Sequence, residues 1–379
     1  MLKIGITGQA GFVGTHLFNT LGLNTEKFIK IPFEDEYFSD NSKLNAFVES
    51  CDAIVHLAAM NRHSDPQVIY DTNIQLVKKL ILACESTNST PHILFSSSTQ
   101  EERDNLYGKS KKEGRELLES WASRNNAKFT GFVIPNVFGP FGNPYYNSVV
   151  ATFCHQLTHN EQPKIEVNGE IKLIYVSELV NEIIRHIAEK NNELNDNAMI
   201  ETVQIQHTSQ IKVSALLQKL TDFKHNYFEK GIIPDLENPF ERNLFNTFLC
   251  YIDHETFFPF HLKLNTDDRG SFVETVKLNS GGQVSFSTTV PGITRGNHFH
   301  TRKAERFAVI KGKARIEIRK IGTDKTLSFD LDGSQPSFVD MPVWFTHNIT
   351  NIGDDELYTI FWINEHYNPE DGDTYFEKV

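Results

Sequence analysis

Two sets of residues have side chains whose types and spacing could do chemistry. The first lies near the end of the chain: Gly292-Ile-Thr-Arg-Gly-Asn-His298-Phe-His300, then Glu305 and Gly312, with Pro342-Val-Trp-Phe-Thr-His347 downstream. His298 and His300 are two apart, so on a strand both imidazoles leave the same face. Glu305 heads an alternating run with Phe307 and Val309 that reads as the next strand, and His347 brings a third imidazole from a later one. Three imidazoles and a carboxylate converging inside a small β domain make a site for a divalent transition metal. Zinc suits the set first, though manganese, iron or nickel accept the same nitrogen and oxygen donors. The competing reading is a metal-free domain whose histidines are polar core or acid–base groups.

The second set is Ser96-Ser97-Ser98, closing the apolar run His92-Ile-Leu-Phe, followed by Tyr107-Gly-Lys-Ser-Lys111. A tyrosine and a lysine four apart on a helix share a face. The ammonium favours the phenolate and is expected to lower the tyrosine pKa. The phenol can then exchange a proton with a substrate oxygen that Ser98 also holds, while a nicotinamide handles the hydride. Upstream, the strand Leu2 to Thr7 runs into Gly8-Gln-Ala-Gly11-Phe12-Val13-Gly14 and a helix from Thr15 to Leu21. Glycines so placed let the backbone approach a pyrophosphate and aim a helix N-terminus at it.

The elements that must position these groups follow from the apolar pattern. Phe28 to Ile31 reads as a second strand. No acid sits at its end before Glu34 and Lys30 is nearby, which favours NADP over NAD. Asp52 to Ala59 reads as a buried strand entering a small-residue turn, Leu57-Ala58-Ala59, suited to a flat cofactor ring; His56 on it reads as a packed residue. Asn73 to Cys84 has helical spacing, and Asn143 to Val150 is expected to begin a helix bordering the substrate. His155 and His159 read as solvated polar residues. Between Asn238 and Phe260 the pattern breaks at Pro239 and Pro259, with a connecting helix expected from Glu241 to Phe248. Beyond it come short alternating strands separated by glycine and asparagine turns.

At 379 residues, two domains are expected: 1–250, built on a parallel sheet with helices, and 251–379, all-β. Apolar content of 39% is enough to bury a core, and a formal charge of −12 argues against general nucleic-acid binding, whose footprint is a basic face. Four scattered cysteines without a CxxC pair predict reduced thiols. No apolar run approaches the ~20 residues of a membrane span, and Met1-Leu-Lys-Ile-Gly enters a strand without a signal-peptide pattern, so a cytoplasmic protein without membrane attachment is expected.

The glycine turn, Ser98, Tyr107 and Lys111 resemble an extended short-chain dehydrogenase/reductase, a class acting mainly on nucleotide sugars. The resemblance implies a Rossmann-type α/β domain in which Ser98, Tyr107 and Lys111 are catalytic. Gly8, Gly11, Phe12, Val13, Gly14, Lys30, Leu57, Ala58, Ala59, Tyr107 and Lys111 would bind the cofactor, and Ser98, Asn136 and Asn147 the substrate. Pro135-Asn136-Val-Phe-Gly139-Pro140 resembles the segment lining the sugar-nucleotide site, with Val133 where that segment usually carries an arginine. The C-terminal pattern resembles a cupin (jelly-roll) with His298, His300, Glu305 and His347 as metal ligands; Trp344 stands in place of a usual glycine. As a pair, and through Asn147-Ser-Val-Val-Ala-Thr-Phe-Cys154, Asp267-Asp-Arg-Gly-Ser-Phe272 and Asp373-Thr-Tyr-Phe376, the chain resembles the CapF-type enzymes of bacterial capsule and O-antigen synthesis. That resemblance implies a homodimeric bifunctional enzyme on the N-acetyl-L-fucosamine route, using NADPH and a divalent metal, zinc first. The cupin would epimerise C3 of a UDP-linked 4-keto-6-deoxy-N-acetylhexosamine, and the reductase would then reduce C4. Two alternatives are a monofunctional 4-keto reductase with a structural or dimerising cupin, and a non-catalytic dinucleotide sensor.

Overall fold

Short, nearly all-apolar strands separated by amphipathic helices are the pattern of a sheet buried on both faces. The computed structural model describes residues 1–192 and 200–379, which group into two compact units. The first takes in residues 1–138, 142–149 and 170–211. Its sheet comprises β1 (Leu2–Thr7), β2 (Phe28–Ile31), β3 (Ala53–His56), β4 (His92–Ser98), β5 (Phe129–Ile134) and β6 (Ile200–Gln204), all parallel, in the order β2-β1-β3-β4-β5-β6. Alternate residues feed two cores. Ile54, Ile93 and Phe95 pack with Val77, Leu80, Leu118 and Trp121 on one face; Ile4, Ile6, Val55 and Leu94 pack with Leu17, Leu21, Leu179 and Ile183 on the other. Because β2 and β3 flank β1 on opposite sides, the connections diverge and open a crevice at the carboxyl ends of β1 and β3.

Two helix starts lie far from the sequence expectation. The helix expected from Asn73 begins at Pro66, where Asp65 caps it by accepting from the Gln67 N–H at 2.9 Å, and its first turns already bury Ile69. Residues 143–148 are not helical. Tyr145 sits at φ 60°, the Arg62 guanidinium donates to the Tyr145 and Tyr146 carbonyls, and the helix starts only at Val149.

The second unit takes in residues 139–141, 150–169 and 212–379, so the helices Val213–Phe223 and Pro239–Leu249 group with the β strands. Its eight longer strands are β7 (Gln283–Thr289), β8 (Thr294–Phe299), β9 (Glu305–Lys311), β10 (Lys313–Lys320), β11 (Thr326–Asp332), β12 (Ser337–Met341), β13 (Phe345–Asn351) and β14 (Leu357–Ile363). They form two five-stranded sheets, Phe260–His261 with β12-β9-β14-β7, and β11-β10-β13-β8 with Tyr375–Phe376. Every pairing within them is antiparallel. Apolar residues of both sheets, among them Val309, Ile316, Phe338, Val339 and Ile349, pack in one core cluster. A buried ionic group ties residues 227–231 to these strands. Arg306 (1% exposed) makes two bonds to Asp340, at 2.7 and 2.9 Å, and one to the Gly231 carbonyl at 2.7 Å; the Tyr227 hydroxyl donates to Asp340 at 2.6 Å.

Candidate active sites

At the carboxyl ends of the parallel strands lies a cleft of about 840 Å³. Its walls bring together Gly8, Gly11, Phe12, Val13 and Gly14 from the β1 turn, Leu57, Ala58 and Ala59 after β3, Ser98 at the end of β4, Tyr107 and Lys111, and Asn136 and Asn147. The glycines are there for approach. Gly8 has φ 71° and a Cβ on it would lie 2.8 Å from the Ala58 nitrogen, while a Cβ on Gly14 would lie 2.2 Å from the Gly8 carbonyl. The following helix, Phe12–Gly22, has no side-chain cap, which leaves first-turn N–H groups for a ligand.

Lys30 is the sequence-derived cofactor residue that the cleft lining does not include. Its ammonium lies 3.9 Å from the Phe18 ring centroid, whereas Asp35 and Lys79 are on the wall. His56 is packed as expected: it is 1% exposed, its Nδ1 is 2.6 Å from the Thr7 hydroxyl, and burial pushes its pKa down to about 3.

The helix Leu106–Asn125, capped by Asn105 through the Gly108 N–H at 2.7 Å, carries Tyr107 and Lys111. Lys111 is 4% exposed; it donates to the Ser96 carbonyl at 2.8 Å, and its ammonium lies 6.0 Å from the Tyr107 ring centroid. Burial brings its pKa down to about 8, against an opposing pull from Glu101. Tyr107 departs from the expectation. Burial, helped by the neighbouring Tyr146, pushes its phenol up to about 12, and the hydrogen bond with Ser98 only partly opposes this. Desolvation is the largest influence on the phenol here, which stays protonated at neutral pH, the form that donates a proton to a ketone oxygen.

Sequence reasoning missed the supports. Asn73 accepts from the Met60 N–H at 2.7 Å and donates to the Ser110 hydroxyl at 3.0 Å, pinning the post-β3 loop beside the Tyr107 helix. Tyr146 accepts from the Asn61 N–H at 3.1 Å. These contacts span from 13 to 85 positions, so no local pattern signals them.

In the β unit the four expected ligands meet. One donor atom from each of His298, His300, Glu305 and His347 lies within 4.8 Å of the others. A bulge at Gly296 and Asn297, both at positive φ, precedes His298, which pairs directly across from His347. Glu305 Oε2 is 3.1 Å from His347 Nε2, 3.3 Å from His300 Nε2 and 4.0 Å from His298 Nε2. His300 Nδ1 faces the Asp373 carbonyl and His347 Nδ1 the Phe345 carbonyl, so the Nε2 lone pairs are the free ones. His300 Nε2, His347 Nε2 and Glu305 Oε2 are buried without a well-formed hydrogen bond. Their positions and chemistry fit a divalent cation. Burial alone would raise Glu305, but His300 and His347 outweigh it and hold the carboxyl well below its usual range; burial and His347 push His298 down to about 4. His298 is the most open of the four, at 25% exposure against 8% or less for the rest. Trp344 takes φ 64°, the left-handed backbone that explains a glycine preference at that place. Among the described residues no other group of three or more candidate ligands converges, His155 and His159 included.

A parallel-sheet cleft with serine, tyrosine and lysine on its wall defines a short-chain dehydrogenase/reductase-type fold. Residues 4–200 match the model of the NAD dependent epimerase/dehydratase family and residues 265–375 that of the polysaccharide biosynthesis C-terminal domain. The chain is 34% identical over 379 residues to UDP-2-acetamido-2,6-beta-L-arabino-hexul-4-ose reductase of Pseudomonas aeruginosa, covering 99% of this chain and 98% of that protein. It is 35% identical to the crystal structure of capsular polysaccharide assembling protein CapF from Staphylococcus aureus, with a TM-score of 0.62 and each chain covered in full. A weaker likeness, 25% over 122 residues, is to spore coat polysaccharide biosynthesis protein SpsL of Bacillus subtilis, covering 30% of this chain and 81% of that protein. The chain thus belongs to the NAD dependent epimerase/dehydratase family and, along its whole length, to the CapF-type UDP-sugar reductases. Among the described residues no helix is long and apolar enough to cross a membrane.

Proposed function

We propose that the protein is a bifunctional nucleotide-sugar enzyme. Its cupin, residues 251–379, epimerises C3 of UDP-2-acetamido-2,6-dideoxy-β-L-arabino-hexos-4-ulose. Its dehydrogenase/reductase domain, residues 1–250, then reduces the C4 ketone with NADPH to give UDP-2-acetamido-2,6-dideoxy-β-L-talose. The observation that carries this reading is the presence, in one chain, of a complete Ser98–Tyr107–Lys111 set and a complete His298–His300–Glu305–His347 set. The ordering follows from chemistry: the C3 proton is acidic only while C4 is a ketone, so epimerisation must precede reduction.

In the reductase site, the reduced nicotinamide supplies the hydride. Tyr107 donates its phenolic proton to the C4 oxygen, Ser98 hydrogen-bonds that oxygen, and the Lys111 ammonium stabilises the phenolate left behind. In the cupin, a divalent metal, zinc first, supplies positive charge for the negative charge that develops on an oxygen when the C3 proton leaves. The four ligand side chains hold the site, and His298 marks its open side.

The test uses the full chain. With Tyr107→Phe, NADPH still binds, but turnover falls by roughly 10²–10⁴, while solvent deuterium continues to enter at C3 of the keto sugar, read by NMR. His347→Ala or chelation suppresses that exchange and leaves NADPH binding intact. Exchange that needs Tyr107 and ignores His347 would refute the two-site reading and favour a reductase with a structural cupin. Undiminished turnover in Tyr107→Phe would refute the reductase assignment itself.

A further inference from the structure

We infer that Asp373 is a positioning residue for the metal cluster, and that residues 371–376 form a strap which holds two of the imidazoles in place. The inference rests on the metal reading above. Asp373 is 6% exposed and takes φ 40°, a left-handed backbone that aspartate tolerates better than most side chains. Its carboxylate accepts from the Thr301 N–H at 3.1 Å, the Thr301 hydroxyl at 2.6 Å, the Arg302 N–H at 3.0 Å and the Lys303 N–H at 3.2 Å. That gathers consecutive donors of the turn linking His300 to Glu305 onto one carboxylate 70 to 72 positions away. Its own carbonyl accepts from His300 Nδ1. Donation there fixes the tautomer and turns the Nε2 lone pair toward the cluster.

The strap is anchored on both sides of Asp373. Lys303, 2% exposed, donates from its ammonium to the Gly372 carbonyl at 2.7 Å, and the Arg302 guanidinium reaches Asp371 at 2.8 Å. Immediately after, Tyr375–Phe376 adds a strand beside β8, pairing Phe376 with His298 and Tyr375 with Phe299. His298 and His300 are therefore each held by the same six-residue stretch. A ligand turn with only local support would let His300 swing off the 3.3 Å approach it now makes to Glu305. The strap replaces that freedom with bonds to the buried Asp373 carboxylate and to the Gly372 and Asp373 carbonyls.

Full-length wild type, Asp373→Ala and Asp373→Asn are stripped of metal and titrated with Zn²⁺ against a chromophoric chelator. Zinc-edge X-ray absorption counts the bound imidazoles; chemical denaturation of the second unit serves as the folding control there, and NADPH binding as that of the first. Both variants are expected to bind Zn²⁺ roughly 10–100-fold more weakly, with one imidazole fewer in Asp373→Ala and unchanged NADPH binding. Asp373→Asn keeps the size and one acceptor oxygen, so it gives the answer should the alanine variant not fold. Wild-type affinity and a full imidazole count in the variants would overturn the inference while leaving the metal reading standing. A wild-type protein that binds no Zn²⁺ would overturn both.

Discussion

Replacing Lys111 by methionine removes the charge but keeps an unbranched side chain of similar length, and it isolates the electrostatic role of that residue. The ammonium lies 6.0 Å from the Tyr107 ring centroid. At that separation and an effective dielectric of ~20, a unit charge stabilises the phenolate by about 2.8 kcal/mol, or roughly 100-fold in rate. Initial rates of NADPH consumption with the 4-keto sugar in excess should fall by about that factor. The pH profile adds a second readout. Burial holds Lys111 near 8, so its ammonium is present below that pH and is lost as pH rises through it. Tyr107, pushed up to about 12, remains a phenol across that range, and His56, near 3, is neutral throughout. The wild-type rate should therefore be level through neutrality and drop up to the same hundredfold above pH 8, and in Lys111→Met that alkaline limb should vanish. A variant within a few-fold of wild type, or one that keeps the limb, would refute the assignment of the charge to Lys111.

Two further predictions concern packing. In Gly14→Ala the new Cβ would lie 2.2 Å from the Gly8 carbonyl, so the β1 turn must shift; NADPH affinity measured by fluorescence titration should fall at least tenfold, and unchanged affinity would place the cofactor elsewhere. In Asp340→Ala the buried Arg306 guanidinium loses its carboxylate, which should cost about 3–5 kcal/mol in chemical denaturation of the second unit; a loss under 1 kcal/mol would mean that the Gly231 carbonyl and the Phe338 ring, 3.5 Å from the guanidinium, suffice.

Much of the reductase site was legible because its parts are local. A glycine turn between a strand and a helix, and a tyrosine four residues before a lysine, are geometries set by neighbours in the chain. Lys30 shows the limit of such reasoning: position at the end of β2 does not determine direction, and its ammonium lies over Phe18 instead of lining the cleft. Asn143 to Ser148 shows another, since the helical reading there yields to bonds from Arg62, some eighty residues away. The triad of Tyr227, Arg306 and Asp340 left no trace in the sequence pattern, because a single charge on each of two separate strands reads as solvent-facing until burial is known.

Residue spacing alone dictates which side chains share a face: Tyr107 with Lys111 on a helix, His298 with His300 on a strand. The apolar pattern likewise divides them between two differently built parts of the chain. How those residues behave depends on the folded molecule. Burial, which no residue carries alone, moved the Tyr107 phenol up to about 12 against the expected pull of the lysine. Pairing of distant strands set His347 opposite His298, and the return of the chain end placed Asp373 under His300. Backbone periodicity is a property of adjacent residues, whereas desolvation and long-range pairing belong to the folded chain as a whole.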